Sequence, residues 1–203
     1  VTMAQAGNIY IPAATPFNLM KIRDTGEIIW GSELSSELNL RALAADSGTS
    51  LYVTGNMKQS LDGNKSKGGS DIFLLKMYQM GPKLWSKTVG TPLDESGTSL
   101  AIQSDETIAI VGYVSQSENT STTLKGTHDA FVAKYNSEGI KLWKYIFKGT
   151  KSEQCTVTLW TPEGNLLVGG YTESSMEKQS HFGKEDAFLA CLLYTSDAAD
   201  EGL

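Results

Sequence analysis

The chain has 203 residues, 40% of them hydrophobic, 9% aromatic and 20% charged, with a formal net charge of −6. Half of that excess comes from Asp197, Asp200 and Glu201, so the rest of the chain is only mildly acidic. No basic stripe suited to a phosphate backbone is present, and no apolar run reaches the length of a membrane span. Nucleic acid and a spanning segment are therefore not expected as partners.

In chain order, Val1 to Ala13 aligns with Leu43 to Gly55, so the first residues read as the end of a repeat unit. Leu19, Lys21, Gly26 and Trp30 form a worn first copy of a phrase that returns in full as Gly68-x-x-Asp71, Phe73 to Lys76, Gly81 and Trp85. It recurs as Gly126-x-x-Asp129, Phe131 to Lys134, Gly139 and Trp143, and starts again as Gly183-x-x-Asp186-Ala187-Phe188. Trp30, Trp85 and Trp143 are 55 and 58 residues apart, and Asp71, Asp129 and Asp186 are 58 and 57 apart. Gly55, Gly112 and Gly170, each closing an apolar run, are 57 and 58 apart. Three independent markers in phase define an internal repeat.

Each full unit offers four short apolar runs: Phe73–Tyr78, Lys83–Val89, Thr98–Gln103 and Thr107–Val114 in one, and Phe131–Tyr135, Lys141–Phe147, Thr156–Thr161 and Asn165–Tyr171 in the next. Val, Ile, Thr and aromatic residues favour strands. Gly26, Gly81 and Gly139 fall where a bulged hairpin needs positive φ. Several strands are apolar on both faces, which suits a sheet sandwiched between two neighbours rather than one with a wet face. Four strands per unit at this period predict an all-β fold: a β-propeller fragment of about three to four four-stranded antiparallel blades, with the ring incomplete.

The expected units are 1–13 as a blade end, 14–56, 57–113, 114–171, and 172–190 as the start of another blade, with the missing blades on the same polypeptide. Residues 191–201 resemble the translation of a sequencing adaptor. The repeat fits through Ala190 and then fails where a lysine is due, so 191–203 reads as a non-native tail. Open apolar faces at both ends of such a fragment would favour association.

The phrase Asp-Ala-Phe-Val-Ala-Lys-Tyr, then Gly, Leu-Trp and Val-Gly-Gly-Tyr-Thr, resembles the bacterial propeller repeats known as SBBP repeats. The resemblance covers Asp129–Trp143 with Leu166–Thr172, Asp71–Trp85 with Ile108–Tyr113, and more weakly Leu19–Trp30 with Leu51–Gly55. It implies an extracellular or cell-surface bacterial protein and brings no common catalytic activity. Asp24-Thr25-Gly26-Glu27-Ile28-Ile29-Trp30 also looks like the tryptophan-docking motif of quinoprotein dehydrogenases, whose cofactor residues have no counterpart here.

For chemistry, Asp71, Asp129 and Asp186 are candidate ligand-face or turn-capping residues, with the turn-capping role favoured because aspartate accepts backbone hydrogen bonds in such turns. Glu95 and Glu153 are a second equivalent pair. Trp30, Trp85, Trp143, Gly26, Gly81, Gly139, Gly55, Gly112 and Gly170 are structural repeat positions. Cys155 reads as a small buried hydrophobe. His128 and His181 share no repeat position and stand in polar loops. No catalytic triad, phosphate loop or metal motif is present, so no catalytic, cofactor or metal residues are assigned. The long polar loops Asn56–Ser70, Val114–His128 and Thr172–Glu185 fall at one point of the repeat and form the candidate binding face. The expected function is a non-enzymatic propeller module of a larger exported protein, a scaffold or a binder of a protein or glycan ligand. The alternative is a fragment of a propeller enzyme, quinoprotein dehydrogenase-like or polysaccharide-processing, whose active site lies in other blades.

Overall fold

The structure is a computed structural model that describes residues 2–3, 8–12, 18–115, 128–147, 149–176, 180 and 182–193. Every regular element among them is a β-strand. The first sheet holds β1 (Thr2–Met3), β2 (Asn8–Pro12), β3 (Leu19–Arg23) and β4 (Ile28–Ser32). The second begins with β5 (Leu38–Ala45) and β6 (Ser50–Met57). A small hairpin of β7 (Ser60–Leu61) and β8 (Asn64–Lys65) intervenes before β9 (Asp71–Tyr78) and β10 (Lys83–Val89) complete it. The third contains β11 (Glu95–Ile102), β12 (Ile108–Ser115), β13 (His128–Tyr135) and β14 (Lys141–Phe147), and the fourth β15 (Glu153–Trp160), β16 (Leu166–Thr172) and β17 (Asp186–Leu192).

Each main sheet is an antiparallel meander whose strand order in space is its order in sequence. β11 packs against both β5 and β15, and β1 against β5, so the first strand of each sheet lies innermost. Consecutive meanders stacked about a shared inner edge are the architecture of a β-propeller. Three apolar cores fill the gaps between successive sheets: one around Tyr10, Leu51, Phe73 and Leu75, one around Tyr52, Leu74, Ile110 and Phe131, and one around Val111, Val132, Cys155 and Val168. Among the described residues no core joins the fourth sheet to the first, so the stack is open. The middle sheets are apolar on both faces because each serves two cores; each large side chain so buried contributes roughly 1.5–3 kcal/mol.

The hydrogen-bonded sheets are phased two strands away from the units expected in sequence. The expected unit 57–113 gives β9 and β10 to the second sheet and β11 and β12 to the third. The cause is the long polar loop, which looks like a boundary but joins the second and third strands inside one sheet. The true joins between sheets, 33–37, 90–94 and 148–152, are short. β11 also begins at Glu95, earlier than the expected Thr98, because its first residues pair across to Val114 and Tyr113. β17 continues through Cys191 and Leu192, paired with Leu167 and Leu166, and Leu192 packs against the third core.

The repeat markers take equivalent places. Trp30, Trp85 and Trp143 sit on the fourth strands, each opposite the lysine of the third: Lys21, Lys76 and Lys134. Gly26, Gly81 and Gly139 have φ of 87°, 116° and 73°. Gly55, Gly112 and Gly170 each lie where a Cβ would meet a first-strand carbonyl at 1.9 Å, that of Asn39, Ser96 or Gln154. A bulge in the first strand sits at each place, between Leu40 and Ala42, Gly97 and Ser99, and Cys155 and Val157. Only glycine lets the bulged strand approach so closely. Trp143 is 37% exposed.

Candidate functional site

The two ends of the stack differ. One carries the short turns at 24–27, 46–49, 79–82, 103–107, 136–140 and 161–165. The other carries the long intra-sheet loops and the joins between sheets, and all five equivalent carboxylates of the sequence stand at it.

Asp71 opens β9 and is fully buried. Its carboxylate accepts the backbone N–H of Lys67 at 2.5 Å and of Gly68 at 3.3 Å, which closes the end of the long loop. Asp186 opens β17 and accepts the N–H of Phe182, again four residues back, at 2.7 Å. Asp129 is the second residue of β13, and the loop before it, 116–127, lies outside the described residues. The three aspartates are held in separate sheets, and among the described residues no group of three His, Cys, Asp or Glu side chains could hold a metal ion.

Glu95 and Glu153 open the innermost strands β11 and β15 and pin the joins that precede them. Glu95 accepts the N–H of Thr91 at 3.0 Å and its hydroxyl. Glu153 accepts the hydroxyls of Ser174 at 2.6 Å and Thr172 at 3.1 Å on one oxygen, while its Oε2 is buried without a hydrogen-bond partner among the described residues. Burial raises both carboxyls above the ordinary glutamate range, and the aspartate of the preceding sheet adds repulsion, Asp71 on Glu95 and Asp129 on Glu153. These groups clamp the backbone.

The long loop of the second sheet is built on the same clamps. A Cβ at Gly68 would meet the carbonyl oxygen of Leu93 at 2.1 Å, and Asp94 accepts the N–H of Ser70 at 2.8 Å. Within the loop the β7–β8 hairpin turns through Asp62 and Gly63, with φ of 52° and 79°. Asp-Gly with two positive φ values is the two-residue turn that matches strand twist. Asp62 also accepts Ser86 Oγ at 2.5 Å and the Lys83 ammonium, which holds its carboxyl below the usual range. Leu61 inserts into the first core. This hairpin was missed in sequence, although Asp62-Gly63 between short runs was a signal for it.

Pinned in this way, the hairpin presents a shallow depression of about 320 Å³ lined by Lys58, Gln59, Ser60, Lys65, Ser66 and Gly68. Two exposed ammonium groups flank hydroxyl and amide groups on a fixed scaffold. The corresponding loops of the third and fourth sheets fall wholly (116–127) or partly (177–179 and 181) outside the described residues.

The remaining candidates are structural in their surroundings. Burial pushes the Cys155 thiol up to about 12, which leaves no nucleophilic thiolate at neutral pH. His128 stands edge-on to Tyr113 with ring centroids 4.7 Å apart; His181 lies outside the described residues. At the turn end, Glu106 accepts Lys76 Nζ at 2.7 Å and Tyr52 Oη at 3.1 Å, beside a cleft of about 430 Å³ that also borders Asp46 and Gln103.

No family model matches the chain. It is 29% identical over 145 residues to a protein described as regulatory protein FlaEY of Caulobacter vibrioides, a match covering 63% of this chain and 15% of that protein. The chain thus spans a small part of the curated relative it matches. A crystal structure of a protein of unknown function from Bacteroides caccae superposes with a TM-score of 0.50 at 15% identity, over 82% of this chain and 52% of that one. That likeness concerns the fold. Among the described residues no helix is long and apolar enough to cross a membrane.

Proposed function

We propose that the chain is a non-enzymatic propeller module, of the SBBP-repeat kind, within a larger exported or surface-exposed bacterial protein, and that it binds a protein or glycan through the long-loop end. The observation that carries this reading is the depression on the β7–β8 hairpin. Its ammonium, hydroxyl and amide groups face solvent on a loop clamped to the sheet stack, an arrangement suited to recognition. The carboxylates that could have served acid–base chemistry are instead engaged with backbone and hydroxyl donors of the joins and loops. Lys58 and Lys65 favour an acidic ligand, either uronic or sialic sugars or an acidic protein segment.

Surface-immobilised chain titrated with acidic glycans, neutral glycans and acidic peptides tests the reading, with K58E and K65E alongside. Saturable binding of an acidic ligand that falls at least tenfold in the double variant is expected. Binding that the double variant retains, or turnover of any panel member, would overturn it.

A further inference from the structure

In the first two sheets, the face turned to the next sheet carries a rung of tyrosine, lysine and tryptophan: Tyr10, Lys21 and Trp30, then Tyr52, Lys76 and Trp85. The sheet that covers this rung face must offer it an acceptor. In the first gap a backbone carbonyl serves, that of Gln79, which accepts all three donors. In the second gap the acceptor is a side chain: Glu106 Oε2 takes both Lys76 Nζ and Tyr52 Oη.

Glu106 stands at a position that favours glycine. Five of the hairpin turns close with an N–H donated to the carbonyl three residues back: Gly26 to Arg23, Gly81 to Tyr78, Gly139 to Asn136, Gly164 to Thr161 and Glu106 to Gln103. All five donors have positive φ, and Glu106, at 61°, is the one that is not glycine. That conformation costs a residue with a side chain. The chain thus keeps a strained carboxylate where glycine forms the other turns and where, in the first gap, a carbonyl satisfies the same kind of rung.

What the carboxylate adds is a wall of the cleft of about 430 Å³ between the turns 46–49 and 103–107. Both walls belong to complete four-stranded sheets inside the stack. Asp46 lines the cleft from one sheet and Glu106 from the other. Asp46 Oδ1 accepts the N–H groups of Gly48 at 3.0 Å and Ser50 at 2.9 Å. The second oxygen of each carboxylate makes no hydrogen bond among the described residues. The 46–50 wall is rigid, because Gln79 Nε2 donates to the carbonyls of Asp46, Gly48 and Ser50. Ser47, Thr49 and Ser104 add exposed hydroxyls, and Ile102 an apolar surface. The turns 46–49, 103–107 and 161–165 carry Asp46, Asp105, Glu106 and Glu163 and no lysine or arginine. Lys76 lies beneath, its side chain 12% exposed, and neutralises one carboxylate only.

We propose that this cleft binds an organic cation, an ammonium or guanidinium group on an aliphatic stem, with Asp46 and Glu106 as its acceptors and Ile102 against the stem. Charge-assisted hydrogen bonds to preplaced carboxylates favour such a group, and the volume falls in the range of small-molecule sites, roughly 300–1,000 Å³. The site is at the opposite end of the stack from the β7–β8 depression and takes a ligand of opposite charge.

Calorimetric titration of the whole chain with spermidine and with Nα-acetylarginine amide, at physiological salt, is the test. E106Q and D46N each remove one charge, while the amide oxygen still accepts the rung or turn hydrogen bonds. E163Q removes a charge of the same sign outside the cleft. Saturable binding of a probe at one site per chain is expected, weakened about tenfold or more by E106Q and by D46N, as for loss of a hydrogen bond to a charged group, and unchanged by E163Q. Tighter spermidine assigns the cleft to free amines, and tighter arginine amide to a side chain of a partner. No saturable binding of either probe would overturn the proposal. So would a loss in E163Q as large as in the cleft variants, which would mean a diffuse negative field and no site. Where E106Q melts early, D46N carries the comparison with E163Q.

Discussion

Trp85 rests on Gly139. A Cβ at that glycine would meet the indole Cη2 at 2.9 Å, and the same relation, looser, joins Trp30 to Gly81 in the preceding gap. The tryptophan belongs to the fourth strand of one sheet and the glycine to the turn of the next, so two sequence markers that share the same spacing, 55 and then 58 residues, are partners across sheets. In the first gap the carbonyl of Gln79 adds acceptors for Trp30 Nε1 at 3.1 Å, Lys21 Nζ at 3.2 Å and Tyr10 Oη at 3.3 Å.

Gly139→Ala should therefore cost more than Gly26→Ala. Both place a side chain at positive φ, a strain of roughly 1–2 kcal/mol. Only Gly139 adds an overpacked contact, worth about 1–3 kcal/mol more, since a Cβ at Gly26 would have nothing within 4 Å. Urea denaturation of the two variants gives the comparison, and equal losses would show that the tryptophan yields freely.

Asp71→Ala should release the loop end at 66–70. Removing the carboxylate leaves the N–H groups of Lys67 and Gly68 unsatisfied, at about 1–3 kcal/mol, and opens space beside Gly90, whose Cβ position lies 2.4 Å from the Asp71 carboxyl carbon. Amide exchange at Lys67 and Gly68 should quicken far more than exchange within β6.

Stability should decline as pH rises from about 4.3, the ordinary glutamate pKa, through the raised folded values of Glu95 and Glu153. The folded state holds these protons where the unfolded state has released them, so the stability that protonation supports is lost above that window. Asp62, Asp105 and Glu106 act in the opposite sense: their lowered values make stability fall as pH drops below the ordinary carboxylate range. Melting curves of E153Q against wild type should show a shallower decline over the upper window.

Of the two thiols, Cys155 is buried and Cys191 exposed. Brief treatment of the dilute native chain with iodoacetamide should modify Cys191 alone, and Cys155 only after denaturation. Mass spectrometry of the digest reads this directly.

The strands and their spacing were legible because the two-sided apolar runs and the turn glycines repeat. The phase of the sheets was not, since a long polar stretch such as 58–70 looks the same whether it joins two sheets or bridges strands within one. The carboxylate clamps were half legible. Asp71 and Asp186 stand where turn chemistry placed them, whereas the partners of Glu95 and Glu153, Thr91 and Ser174, come from segments with no repeated signature. The depression on the β7–β8 hairpin lies on a loop whose sequence does not recur in the other two, and a search for recurring positions passes over it.

The order of the strands also couples folding to synthesis. Trp30 leaves the ribosome 51 residues before Gly81, and Trp85 54 residues before Gly139. At roughly 5–20 residues per second, each newly made meander waits some seconds with its rung face bare until the following one covers it. Growth therefore runs from the N-terminal end, and at every moment the rung face of the latest sheet is the one awaiting the meander that follows it.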